Sequence, residues 1–358
     1  GQESLQVTLT RYRNRGPLRL TGGVDLEVAR GFLEEFQAGP ETGTPPRPTG
    51  LHYDYTAWQY LGAGYLQARW AVAPRVELSG GVRLEYLAYD YDNRMLAGNT
   101  RADGTTCTPA CLFNRPADRS DGFLNLAPNV GLRYALSEQG SLYATLTRGF
   151  RAPQAAELYR LQSGQSVADL DSEVIDSLEA GFRWQSPVVR LGLAAFAMDK
   201  RNYILQDSNR FNVSDGESRH IGAEIDLRLT AASGFYGAVA ATWAKQTYGF
   251  GTAIPGGETI RDGNDIDTAP RTLGSLRVGW AGARGLAEVE WLHQGSYYLT
   301  AEETVDYPGH DLVNLRAVAN LARGWSVTLR LNNALDDFYA DRADFAFGNF
   351  RYFPGPDR

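Results

Sequence analysis

The chain has 358 residues, a net charge of −7 and a mean hydropathy of −0.35. That length allows two or three soluble domains or one large barrel, and the negative charge argues against nucleic acid as the main partner. No run approaches 18 consecutive apolar residues, so no transmembrane helix is expected, although barrel strands, being short and only half apolar, would escape that test. The sequence begins at Gly1 rather than Met and carries no signal peptide, which reads as a fragment or a processed product.

About fourteen strands of roughly 10 to 18 residues follow from strict apolar/polar alternation. Leu5, Val7 and Leu9 open the first, and Leu18 to Val28 form the second. A polar stretch from Gly31 to Asp54 precedes the third strand, Tyr55 to Val72, and the fourth, Val76 to Tyr86. The next polar stretch, Asn93 to Asp121, contains Cys107 and Cys111. No histidine is near them and no second Cys pair exists. They read as a small disulfide loop in an oxidising compartment rather than half of a metal site.

Leu124 to Tyr134 and Leu142 to Thr147 form strands five and six. The connection Arg151 to Asp171 carries a helical turn at Gln154 to Leu161. Leu178 to Trp184, Val188 to Leu205, Ile221 to Leu229 and Phe235 to Tyr248 are strands seven to ten; the facing of the eighth is ambiguous. After Gly249 to Ala269 come strands eleven (Leu276 to Trp280) and twelve (Ala287 to Trp291), then the stretch Ser296 to Gly309. The last pair has the cleanest alternation, with Val313, Leu315, Ala317 and Ala319, then Val327, Leu329 and Leu331, on one face.

Short turns alternate with long polar loops, hairpin after hairpin. That asymmetry belongs to an up-and-down transmembrane β-barrel with short periplasmic turns and long extracellular loops; a soluble sandwich mixes loop lengths and includes crossovers. Tyr86, Tyr134, Trp184, Trp243, Trp280, Trp291 and Trp325 gather near strand ends, as an aromatic girdle does. The opposite faces carry Arg19, Asp25, Glu85, Arg183, Glu224, Arg277 and Arg330 among other charges. So many charges need a wide lumen holding water or a polar plug.

The segments Leu126-Ala127-Pro128-Asn129-Val130-Gly131-Leu132-Arg133-Tyr134 and Thr147-Arg148-Gly149-Phe150-Arg151-Ala152-Pro153 resemble those of TonB-dependent outer-membrane receptors of the siderophore/iron-complex type. Glu179 to Trp184, Gly222 to Ile225, Asn332 to Tyr339 and Arg351 to Gly355 continue the resemblance. It implies an all-β, antiparallel barrel of about 22 strands around a folded plug. Residues 1–358 would be a partial barrel domain, lacking the plug, the TonB box, about seven early strands and the closing strand.

The implied function is active import of a scarce ligand across the bacterial outer membrane, most simply a ferric siderophore, energised through TonB. A passive porin-like channel and a structural or secretion barrel are the alternatives. Implied partners are the ligand, the plug and TonB, outer-membrane lipid and lipopolysaccharide. No cofactor, no catalytic residue and no nucleic acid enter this reading.

Phe150-Arg151-Ala152-Pro153 resembles a motif of haem and siderophore receptors, yet the loop that follows, Gln154 to Asp171, has no histidine. Arg151 reads as an anchor for the loop base, or as a cation for an anionic ferric chelate. Tyr159, Arg160 and Gln162 share its loop and are candidate ligand contacts, since aromatics supply stacking area and Arg supplies charge pairing. His52, His220, His293 and His310 are scattered, so a haem ligand among them is the weaker reading. Asp262, Asn264, Asp265 and Asp267 loosely resemble a calcium loop, without a Glu at its twelfth position. His293 and Ser296 share a segment but lack an orienting third group, which argues against an outer-wall hydrolase.

Overall fold

Alternation along each strand becomes, in three dimensions, one continuous ladder. The computed structural model describes residues 1–165, 167–206, 212–253, 258–346 and 348–356. Its main sheet contains fourteen antiparallel strands in which each is hydrogen-bonded to the next in the chain, without a crossover. These are β1 (Gln2–Arg15), β2 (Leu18–Gln37), β3 (Gly50–Ala73), β4 (Val76–Asn93) and β5 (Arg119–Ala135). β6 (Gly140–Arg151), β7 (Glu173–Gln185), β8 (Val189–Gln206), β9 (Asn212–Thr230) and β10 (Phe235–Tyr248) follow. β11 (Thr272–Gly282), β12 (Gly285–Gln294), β13 (His310–Asn320) and β14 (Ser326–Leu331) complete it. β1 and β14 each pair on one side only, so the sheet is an arc of a barrel rather than a closed ring.

The register puts like on like. Leu26 lies opposite Val7 and Gly62, Leu276 opposite Val239 and Trp291, and Trp291 opposite Val313. One face is therefore apolar from end to end of the arc. No second sheet covers it among the described residues: Leu5, Leu124 and Leu329 are each about 70% exposed to whatever surrounds the protein. A water-soluble protein seldom leaves more than a few hundred Å² of continuous apolar surface open. Hydrocarbon is the solvent that this face fits.

Two belts of aromatics edge the apolar face. Trp70, Tyr134, Trp184, Phe235, Trp280 and Trp325 sit beside the short turns, and the Trp280 indole donates to the Ser233 carbonyl in one of them (3.0 Å). Trp58, Tyr60, Tyr86, Trp243 and Trp291 mark the other edge. On β10 the belts are eight residues apart, roughly 27 Å along a strand at about 3.4 Å per residue. A strand tilt of about 40° reduces that to a band close to the ~25 Å of an outer-membrane barrel.

The opposite face pairs its charges across strands. Arg83 on β4 bonds Asp25 on β2 (2.5 Å) and Glu85 (2.7 Å), and Arg277 on β11 bonds Glu290 on β12 (2.9 Å). Tyr143 donates to Glu179 at 2.7 Å. This is the chemistry of a hydrated wall. The ambiguous β8 is settled by register: Leu191, Leu193, Ala195 and Ala197 face out, opposite Leu227, Ile225, Ala223 and Ile221. A bulge between Lys200 and Leu205 then breaks its alternation.

Strand ends differ from expectation on one side. β2 runs to Gln37 and β3 starts at Gly50, well inside the stretch Gly31 to Asp54 that reads as a loop. The ladder continues above the apolar band, where the outer face leaves lipid and the inner face packs against the loops, so the alternation fades.

An outward-facing residue at mid-height tests the placement. Val130→Arg is expected to cost about 2–4 kcal/mol of folding stability in lipid vesicles, read as a shift in urea-unfolding free energy. A change within experimental error would mean that this face does not meet hydrocarbon.

Candidate functional site

The long-loop rim is built from two packs of side chains, both folded over the inner wall. The first begins where β6 ends. Pro153 cannot donate to the ladder, so pairing stops. Arg151, the last residue of β6, is held by Glu173 (2.7 Å) and Glu157 (2.9 Å). Glu157 also accepts from the Gln154 amide (2.7 Å), capping the single-turn helix α1 (Ala155–Tyr159).

α1 turns Leu158 and Tyr159 into the wall. The Tyr159 ring stacks on Tyr91 at 4.2 Å, and its hydroxyl donates to Asp121 at 2.8 Å. Burial raises the pKa of that hydroxyl far above the ordinary tyrosine value, so it remains a donor. The chain then adds Leu161–Gln162 as a short strand beside Phe113–Asn114 of the 94–118 loop. Tyr53 donates to the Leu161 carbonyl, and Arg160 reaches Glu35 on β2 at 2.5 Å while lying over the Tyr53 ring.

The resulting core contains Tyr53, Tyr55, Tyr89, Tyr91, Phe113 and Phe123 with α1 against them. Arg115, buried at its edge, donates to the carbonyls of His52 (2.7 Å) and Thr100 (2.6 Å). The Cys107–Cys111 disulfide lies in the same loop, with both sulfurs in buried residues.

The second pack joins three small hairpins. Thr252–Ala253 pairs with Thr259–Ile260, Tyr297–Tyr298 with Asp306–Tyr307, and Ala340–Ala346 with Asn349–Pro354. The Tyr297 hydroxyl accepts from the Ala343 amide (3.0 Å) and donates to its carbonyl (3.2 Å); Tyr307 does the same for Ala340. Carboxylates dock the first two hairpins. Glu302 accepts from the Thr259 amide (2.9 Å) and Glu303 from that of Asp265 (2.6 Å). Glu258 accepts weakly from the Ala301 amide (3.4 Å), and its other oxygen is buried without a hydrogen-bond partner. Burial, with Asp267 and Glu302 nearby, pushes its carboxyl up to about 7.

Residues 2–334 match the family model described as TonB dependent receptor-like, beta-barrel. The chain belongs to the TonB-dependent receptor β-barrel family. It is similar to the catecholate siderophore receptor Fiu of Escherichia coli K12, with 24% identity over 306 residues, 79% of this chain and 38% of Fiu. The chain thus spans well under half the length of that curated relative. Among solved structures it resembles the closed form of E. coli Fiu (TM-score 0.74, 19% identity, 99% of this chain, 53% of that one). It also resembles the copper transporter OprC (TM-score 0.76, 15% identity, 99% and 57%). A third is the ferric yersiniabactin receptor FyuA of Yersinia pestis (TM-score 0.73, 14% identity, 99% and 52%). Like its family, this receptor barrel is an outer-membrane protein of Gram-negative bacteria, and its relatives are transport receptors rather than enzymes.

The receptor fold sorts the four loop candidates. Arg151 is a clamp at the loop base, bound by two carboxylates rather than by carbonyls. Tyr159 and Gln162 are buried at 0% and 5% exposure, packed into the wall. Arg151 and Arg160 are equally open, each with its side chain 37% exposed, but Arg160 has one carboxylate partner, Glu35, where Arg151 has two. The inner tyrosines of β3 and β4 escaped the sequence reading. Their signal was aromatic residues in the inward phase above the apolar band.

The other candidates disperse. Asp265 is tied to Arg271 (2.7 Å), Asp267 to Tyr248 (2.5 Å) and Asn264 to the Ala301 carbonyl (2.9 Å), so the calcium-like cluster does not converge. No group of three or more metal-ligating side chains that could hold an ion occurs among the described residues. His52 stacks on Phe113, His220 on β9 bonds Gln246 on β10, and His310 bonds Tyr307, each in a different place. His293 does gain an orienting partner, Asp311 at 2.9 Å, and contacts Thr272 at 3.1 Å rather than Ser296. The nearby Gly295 amide is already bonded to the Thr272 carbonyl, so it is not available to an oxyanion.

Two outcomes follow. Glu258 has a raised folded-state pKa, so the docked hairpins keep a proton that the undocked state releases above about pH 4.5. Docking therefore weakens as pH rises from about 4.5 through about 7. Hydrogen exchange at the Ala301 amide should accelerate over that window, and Glu258→Gln should flatten the response; an unchanged pH profile in the variant contradicts the assignment. Separately, Cys107 and Cys111 should resist alkylation until reductant is added, as mass spectrometry of the native protein would show.

Proposed function

We propose that this chain supplies much of the transport barrel of a receptor that imports a ferric siderophore of the catecholate type, energised through TonB. The observation that carries the reading is the mouth: an aromatic wall with a half-exposed guanidinium, Arg160, over a water-lined lumen. A ferric catecholate complex is an anion faced with aromatic rings. Arg160 offers it charge-assisted hydrogen bonds, and tyrosine-rich walls offer stacking area. That Fiu is a ferric-catecholate import receptor supports the catecholate class, and that FyuA is a ferric yersiniabactin uptake receptor supports a ferric siderophore more broadly.

The barrel residues have separate tasks in this reading. Arg151 and its two glutamates fix the loop base, Tyr159 fixes α1 on the wall, and Arg160 meets the ligand. A folded plug would fill the lumen and contact the paired charges of the inner wall. Both signs occur there, so a polar plug can be matched without leaving a buried charge unpaired.

The test uses the full-length receptor in cells lacking other catecholate receptors. Uptake of radiolabelled ferric catecholate should need both the receptor and TonB. Uptake that persists without TonB would point to passive diffusion and end the proposal. In the purified receptor, Arg160→Ala should weaken ferric-catecholate binding about tenfold while Arg160→Lys loses less, as expected for one charge-assisted contact.

A further inference from the structure

Near the short turns the inner wall changes character. Higher up, Arg83 and Arg277 are paired with carboxylates. Close to the short-turn ends, register sets arginine directly opposite arginine. Arg19 on β2 faces Arg69 on β3, Arg190 on β8 faces Arg228 on β9, and Arg316 on β13 faces Arg330 on β14. Arg183 joins them at the end of β7. All of these residues are exposed on the lumen side, and none is ion-paired with a described residue. Glu77, opposite Arg133, and Glu288, opposite Arg316, offset only part of this charge. Like charges directly opposite each other destabilise a strand pair, so the collar is costly in stability unless an anion comes to it.

The sector from β7 to β10 is the most fully built. Arg183 lies over the Tyr143 ring at 4.5 Å and Arg228 over the Tyr236 ring at 4.4 Å. Each tyrosine is itself tied, Tyr143 to Glu179 (2.7 Å) and Tyr236 to Glu288 (2.5 Å). Stacking fixes a guanidinium while leaving its N–H edge free to bond an anion. Beside Arg183 the wall is hollowed into a recess of about 490 Å³, because Gly192, Ala194, Ala240 and Ser275 put so little into the lumen. On β9, Glu224 and Asp226 precede Arg228 in the direction of the short turn and have no ion pair with it. The wall potential therefore becomes more positive toward the periplasm, which is the direction in which an anion is drawn.

We propose that this arginine collar is the exit-side anion site of the transport path, holding a negatively charged metal chelate as it leaves the lumen and disfavouring cationic cargo. Rings of Arg or Lys are how pores prefer anions, and a cleft lined by one sign of charge raises the local concentration of its counter-ion. The inference rests on the proposed import of an anionic chelate. It adds a second station for that anion, at the opposite end of the lumen from Arg160.

Two measurements on the full-length receptor test it. In cells, surface binding of radiolabelled ferric catecholate is measured without TonB, and uptake with it. Arg183→Gln, Arg190→Gln and Arg228→Gln together should leave binding at the mouth unchanged and lower the maximal uptake rate about tenfold, whereas Arg183→Lys, Arg190→Lys and Arg228→Lys together keep it. Arg75→Gln, at the tip of a short turn, should change neither. In planar bilayers, with the lumen opened by urea too dilute to unfold the barrel, a KCl gradient should give an anion-selective reversal potential that the triple glutamine variant shifts toward cation selectivity. This second readout needs no chelate, so an anion-selective lumen in a receptor that takes up no ferric catecholate would support the collar and refute the ligand. An unchanged uptake rate in the triple glutamine variant overturns the exit site, as does a cation-selective wild-type lumen. Weaker binding at the mouth or an equal loss with Arg75→Gln overturns it as well. So does vancomycin sensitivity in the triple glutamine variant, which would make the collar a fastening for the plug.

Discussion

A peptide group in hydrocarbon has no water to bond, and each unpaired N–H or C=O there costs several kcal/mol. That one constraint organises this molecule. It forces neighbouring strands into unbroken antiparallel pairing, and a pleated strand then sends alternate side chains to opposite faces. One face must suit lipid and the other must suit whatever fills the lumen. The hairpin order, the absence of crossovers and the charge ladders such as Asp25–Arg83–Glu85 follow from it. So does the confinement of irregular backbone to the rims.

The sequence was legible where lipid imposes a rule. Every second residue from Val313 to Ala319 on β13 and from Val327 to Leu331 on β14 is apolar because hydrocarbon penalises anything else, and the alternation also sets their register. Above the band the rule lapses. The upper ends of β2 and β3 lie above lipid, where Glu34 opposite Asp54 costs little on the outer face and Tyr53 is buried under the loops on the inner one, so the alternation no longer reports a strand. β8 was unreadable for another reason: Gly192, Ala194, Ala195 and Ala197 put small residues on both faces, so polarity could not choose between them.

The site was less legible than the fold because its contacts are long-range. A loop rich in Arg, Tyr and Gln reads as a ligand surface when seen as a string. What buries Tyr159 and Gln162 is remote in sequence: Tyr53 bonds Leu161 from 108 residues away, and Glu35 bonds Arg160 from 125. Only the ladder brings β2 and β3 beneath that loop. The same folding leaves the Arg160 side chain partly open, while its loop neighbours Tyr159 and Gln162 are buried. Arg151 was half legible. An anchor was foreseen, but its carboxylate partners Glu157 and Glu173 come from α1 and the start of β7.

The two loop packs differ in how their polar groups are neutralised, and this difference governs how the mouth responds to its surroundings. In the first pack the carboxylates of Glu173 and Asp121 each have an arginine partner, Arg151 and Arg119. Its aromatic core is also tied to two strands and a disulfide loop. In the second pack Glu258 and Asp267 are buried without a basic partner, and their raised pKa values reflect that burial. A clamp made of ion pairs and stacked rings changes little between pH 5 and 8, whereas a clamp made of buried acids does. The mouth therefore has a fixed side near β2 to β7 and a yielding side near β10 to β13.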